Sequence, residues 1–65
     1  MNDKVKALYE NSCYQVWSAA HSGTSNDFHE GAIYAIAAIL ERPDLRDSDK
    51  VMEVGGRVYK ERKGK

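Results

Sequence analysis

Apolar residues recur along this chain with the period of a helix. With residues set about 100° apart, Val5, Leu8, Tyr9, Cys13, Val16, Ala19 and Ala20 fall on one side of the segment from Asp3 to His21. Lys4, Lys6, Glu10, Asn11, Gln15 and Ser18 fall on the other. This pattern predicts a surface helix with one buried stripe. Asn2 or Asp3 can cap its first turn, and Gly23 is placed to take the left-handed conformation beyond its last. The connector Ser22-Gly23-Thr24-Ser25-Asn26 leads into a second predicted helix, over about 27–42. Thr24 with Asp27 approximates a capping box, with Ser25 and Asn26 as competing caps. Pro43 ends the helix, because the residue before a proline avoids helical backbone.

The second helix is apolar on both flanks. Phe28, Ile33, Ile36, Ile39 and Leu40 share one side with Ala32. Gly31, Tyr34, Ala35 and Ala38 form a second stripe, interrupted only by Glu30, Glu41 and Arg42. A helix that is apolar nearly all round is buried nearly all round. A three-helix monomer gives each helix two neighbours at most. Small residues also let another backbone approach closely, as the small-xxx-small pairs of membrane helices do. The expectation is that Gly31, Tyr34, Ala35 and Ala38 form a subunit contact in a homodimer or higher oligomer. In the alternative, the first and third helices cover both stripes within a monomer.

The third segment, 48–63, contains Gly55-Gly56 and admits two readings. As a hairpin turn, the glycines would join two strands whose alternation leaves charged residues on both faces. As a helix, Val51, Met52, Val54, Gly55, Val58 and Tyr59 fall in one arc, and Lys50, Glu53, Arg57, Lys60 and Glu61 fill the rest. The helix separates the residue types better. Two mid-helix glycines cost roughly 2 kcal/mol relative to alanine, and Gly55 lies mid-stripe, where it admits a close neighbour. Asp47 or Ser48 caps this helix, and its basic end, from Lys60 to Lys65, is expected to fray. The predicted fold is therefore all-α: a single domain over 1–65, built as a small three-helix bundle that self-associates.

Composition sharpens this picture. The chain has 65 residues, ten basic and ten acidic side chains, and one cysteine. A generic polycation is excluded, and so is a disulfide within the chain. A domain near 60 residues buries only about 60% of its unfolded surface. Such a core rarely supplies more than about 3–5 kcal/mol, which favours association. The charged start, Met1 to Lys6, has no apolar targeting core. The longest uncharged apolar run, Gly31–Leu40, falls short of the roughly 20 residues a membrane span needs. A cytoplasmic location follows as the expectation, with the lone Cys13 in keeping.

Catalytic and metal chemistry find little footing. Cys13, His21 and His29 have no ligand spacing, and His29-Glu30 lacks the second histidine of a zinc-protease motif because position 33 is Ile33. Cys13 lies in the apolar stripe, where thiols are inert. His29 points to the core or its rim. The loop Gly23-Thr24-Ser25-Asn26 offers donors to an anion, but it has no cation nearby and is followed by Asp27 and Glu30. No cofactor, metal or enzymatic activity is expected.

Charge and aromatic placement say more. Residues 57–65 carry a net charge of +4 and the rest −4. Arg57, Lys60, Arg62 and Lys63 are therefore candidate anion or nucleic-acid contacts, or else they complement the helix dipole. Tyr14, Trp17 and His21 form an i, i+3, i+7 strip, a candidate partner-binding surface. The expected function is a non-enzymatic interaction module that self-associates and binds another macromolecule, foremost a protein. The alternatives are a nucleic-acid-binding regulator using the basic end, and a small-nucleotide sponge with a pocket between subunits. In size and plainness the chain is similar to the short accessory proteins of phages and mobile elements, some of which inhibit host enzymes or defence systems. This is a likeness of type that carries no residues over.

Overall fold

The computed structural model describes residues 1–64. Its elements are α1 (Asp3–His21), α2 (Asp27–Ile39), a 3₁₀ turn (Pro43–Arg46) and α3 (Ser48–Lys63). Among the described residues there is no strand, so Gly55-Gly56 lies inside a helix. α3 runs to Lys63 with Gly64 as its cap. Lys65 lies outside the described residues.

Local hydrogen bonding sets the helix ends. The Val5 N–H donates to Asn2 Oδ1 at 2.9 Å, capping α1. At the other end Gly23 takes φ 74°. The Gly23 N–H then donates to the Ala20 carbonyl at 3.2 Å, and the Thr24 N–H to that of Ala19 at 2.8 Å. This pair is the Schellman closure, which satisfies carbonyls that a helix end leaves bare. Thr24 thus belongs to the end of α1, and its hydroxyl also donates to the Ala19 carbonyl. The predicted capping box does not form. Asn26 caps α2 instead, accepting from the His29 N–H at 3.3 Å.

α2 stops at Ile39, three residues short of the predicted end. The same closure recurs there: the Glu41 N–H donates to the Ala38 carbonyl at 3.2 Å and the Arg42 N–H to that of Ala37 at 2.9 Å. Glu41, not a glycine, takes the left-handed conformation, with φ 54°. The steric bar of Pro43 therefore acts further upstream than its immediate neighbour. Arg42 is extended, with φ −127° and ψ 83°, and the chain must already have turned to reach it. The turn brings Leu45 into the core, where it is 2% exposed.

α1 is the shared partner of both other helices. α2 and α3 each pack on it, and the 3₁₀ turn packs on α2 and α3; no Cα of α2 lies within 8 Å of a Cα of α3. The molecule measures 30 × 25 × 18 Å, and its short axis is less than two helix diameters with side chains. The core draws Tyr9 and Cys13 from α1, Ile33, Ile36 and Ala37 from α2, Val51, Val54 and Val58 from α3, and Leu45 from the turn. The Tyr9 hydroxyl donates to the Leu45 carbonyl at 2.8 Å, so the buried phenol and the carbonyl satisfy each other.

Gly55 makes the α1–α3 contact possible. A Cβ at this position would lie 2.5 Å from the Cys13 carbonyl oxygen and 2.5 Å from Trp17 Cβ. No side chain fits there, so the close approach foreseen at this glycine is a backbone-on-backbone crossing.

The predicted buried stripes need correction at particular residues. Leu8 is 52% exposed and Ala20 is exposed. Ser12 replaces them in the interior, fully buried beside Cys13. On α2, Phe28 is 80% exposed and Ile39 79%. The core-facing side is narrower than expected, consisting of Ile33, Ile36 and Ala37 with the half-buried Leu40 and His29. The reason is the packing arrangement: the backbones that approach α2 closely are those of α1 and the 3₁₀ turn, so residues at the far margin of its apolar arc find no neighbour.

Candidate functional site

The outer face of α2 is the main feature left uncovered by the fold. Beyond Glu30, every exposed residue of this helix is apolar or Tyr34: Gly31, Tyr34, Ala35, Ala38 and Ile39. Phe28 extends the face to the helix start. All four predicted contact residues, Gly31, Tyr34, Ala35 and Ala38, are exposed together on it. Sequence reasoning missed Phe28 and Ile39, the two largest contributors besides Tyr34. The signal was present, since both fall within about 60° of Ala35 on a helical projection. Periodicity places residues relative to one another but does not say where the neighbours stand.

Tyr34 is fixed at one border of this face. Its ring lies 5.7 Å from the Arg46 guanidinium carbon, a cation–π contact across to the 3₁₀ turn. A hollow of about 580 Å³ opens beside it, lined by Tyr34, Ala37, Ala38, Glu41, Pro43 and Arg46. Arg42 and Asp44 pair at 2.8 Å at this end. The guanidinium hydrogen-bonded to Asp44 holds that carboxyl below its ordinary range. At the other end, Asp27 and Glu30 place negative charge on the first turn, where the helix dipole favours it.

The strip Tyr14, Trp17 and His21 is divided by the fold. Trp17 stacks with His21 at 4.0 Å between ring centroids and with Tyr59 of α3 at 4.7 Å. His21 Nδ1 lies 3.0 Å from the Trp17 carbonyl; a carbonyl only accepts, so Nδ1 carries the proton. Tyr14 stands apart from this cluster, half-buried beneath the Arg62 guanidinium at 4.7 Å.

The basic end is largely engaged within the chain. Arg57 pairs with Glu10 at 2.6 Å and with Glu61 at 3.5 Å. Arg62 sits over Tyr14 and donates to Asn11 Oδ1 at 3.3 Å. Lys63 lies 5.6 Å from the Tyr59 ring centre. Lys60 is exposed. A phosphate would compete with these internal partners for three of the four predicted contacts.

Two interior groups have reactive side chains. Ser12 Oγ and His29 Nδ1 are 3.2 Å apart, the contact that activates a nucleophilic serine elsewhere. Here Ser12 is 0% exposed, so no substrate atom reaches its hydroxyl. The bond satisfies a buried polar group and ties α1 to α2. Burial pushes the Cys13 thiol up to about 11 and raises the Tyr9 phenol beyond its ordinary value. Both stay neutral at pH 7, and a neutral thiol is a poor nucleophile. Among the described residues, no three His, Cys, Asp or Glu side chains gather where they could hold a metal ion, and no helix is long and apolar enough to cross a membrane. The chain matches no protein family, no curated protein and no solved structure.

Proposed function

We propose that this protein is a non-enzymatic helical interaction module that self-associates through the outer face of α2 and acts by binding another protein. One observation carries the reading: Phe28 and Ile39 stand four-fifths exposed at the two ends of a helix face whose middle is Gly31, Tyr34, Ala35 and Ala38, with the carboxylates of Asp27 and Glu30 beside its first turn. Burying side chains of this size gains about 1.5–3 kcal/mol each. Single-chain proteins rarely leave a large contiguous apolar patch uncovered.

The two helix glycines supply support of a different kind. A mid-helix glycine costs about 1 kcal/mol relative to alanine. Gly55 is explained within the protomer, because α1 fills the space where its Cβ would be. At Gly31 a Cβ would meet nothing within 4 Å. A second helix packed closely on Gly31, Ala35 and Ala38 gives that glycine the same reason as Gly55. A second copy fits best, since it presents an identical face with bulk at its ends and small residues at its centre.

Light scattering over a dilution series tests this. The mass per particle should fall toward one protomer as the protein is diluted, and Ala38→Glu should hold it at one protomer throughout. A wild-type chain that is monomeric at every concentration overturns the proposal, as does an Ala38→Glu variant that keeps its assembled mass.

A further inference from the structure

We infer that the groove between α1 and α3 receives an acidic protein segment that carries at least one apolar side chain. This rests on the reading of the protein as an interaction module and names the chemistry of the partner; it does not rest on the α2 face. The groove has a volume of about 610 Å³, and no residue of α2 lines it. Its half-buried floor is Trp17, Met52, Gly56 and Tyr59, and its exposed rim is Glu53, Arg57 and Lys60.

The floor suits an apolar side chain. Met52 is unbranched and adapts to irregular shapes. Gly56 leaves the edge of the indole uncovered, since a Cβ there would lie 3.2 Å from Trp17 Nε1. The rim suits negative charge. Lys60 stands exposed on it, and Lys63 reaches over Tyr59 from the next turn, while Arg57 is already held by Glu10 and Glu61. Glu53 opposes these two lysines on the rim. The remainder of the chain carries a net charge of −4 against +4 over residues 57–65. An acidic segment is therefore repelled by most of the surface and steered to this end.

A nucleic acid fits less well. Non-specific single-strand binding needs open aromatic faces on which bases stack. Trp17 already stacks on His21 and Tyr59, and Lys63 covers Tyr59.

Trp17 is the one tryptophan in the chain, so its fluorescence reports on this groove directly. The probes are a short peptide of alternating glutamate pairs and leucines, the same peptide with lysine in place of glutamate, polyglutamate, and oligothymidylate. Only the glutamate–leucine peptide should give a saturable spectral shift, and its affinity should fall as salt rises. Lys60→Glu should weaken it about fivefold, and Lys63→Glu should act in the same direction while leaving the Arg57 ion pairs intact. The inference is overturned by no saturable shift at millimolar peptide, by equal binding of the lysine peptide or polyglutamate, by tighter binding of oligothymidylate, or by unchanged affinity in both lysine variants. Ala38→Glu should bind the peptide as the wild type does. Loss of peptide binding in a chain that still self-associates therefore removes this groove alone, and peptide binding by a chain that never self-associates removes the α2 interface alone.

Discussion

Single residues show how closely this small core is fitted. Gly55 and Gly31 both lie in helices, yet their surroundings differ in kind. Gly55→Ala would drive a methyl group into the Cys13 carbonyl and Trp17. Overpacking of this sort costs about 1–3 kcal/mol, and the contact here is with backbone, which cannot swing away. The denaturant midpoint should fall, with a net loss of about 1 kcal/mol after the helix-propensity gain is counted. Gly31→Ala has open space around it and should stabilise the dilute protomer by about 1 kcal/mol. Equilibrium unfolding of the two variants at low concentration checks both signs.

Cys13 supplies a test by pH. Its ordinary value is 9.0 and burial takes it to about 11; Tyr9 is raised from 10.0 for the same reason. Both groups hold their protons more tightly when folded than when unfolded. The unfolded chain therefore ionises first as pH rises, which draws the equilibrium toward it. The stability tied to these groups is complete below about pH 9 and is lost through pH 11 and above. Ionisation of Cys13 should leave the melting temperature unchanged across pH 7–8 and lower it above pH 9, with a shallower fall in Cys13→Ala. The thiol should also resist a colorimetric thiol reagent until the protein unfolds.

The helix ends are the next scale. α1 and α2 close with the same pair of hydrogen bonds, but Gly23 occupies the left-handed position in one and Glu41 in the other. An L-residue there carries a Cβ clash worth about 1 kcal/mol that glycine avoids. Glu41→Gly should therefore stabilise the protein by about 1 kcal/mol, and Gly23→Ala should destabilise it by a similar amount. Thermal melts of the two variants should shift in opposite directions, and shifts of the same sign would contradict the shared closure.

At the scale of the whole molecule, connectivity decides what is left bare. With α1 between them, α2 and α3 shelter against the same helix rather than against each other. α3 buries the valines of its stripe, whereas α2, with 13 residues, keeps an apolar face about 20 Å long. A face of that length lies near the lower limit for stable association, about 1,000–1,200 Å² in total, so the expected pairing is weak and reversible. Melting temperature should then rise with protein concentration in the wild type and stay constant in Ala38→Glu. Differential scanning measurements over a hundredfold concentration range, roughly 2.7 kcal/mol in mass-action terms, would show the difference.

The sequence by itself determined the elements. The bounds 3–21 and 48–63 are legible because capping, glycine closure and apolar period act within a few residues of each other along the chain. The glycine at the α1–α3 crossing was legible as an opening in a stripe, and Gly31, Tyr34, Ala35 and Ala38 as a second stripe of small residues. Tertiary structure alone decided which side of each stripe meets a neighbour. Period alone puts Phe28 and Ile39 inside, yet they stand outside, because a helical projection fixes angles between residues but not the direction of the nearest helix. Ser12 and His29 meet, and Trp17 leaves Tyr14 for Tyr59, through contacts between separate helices that no local pattern encodes. Glu41 takes a backbone conformation its own chemistry disfavours because the chain must turn there to seat Leu45 in the core.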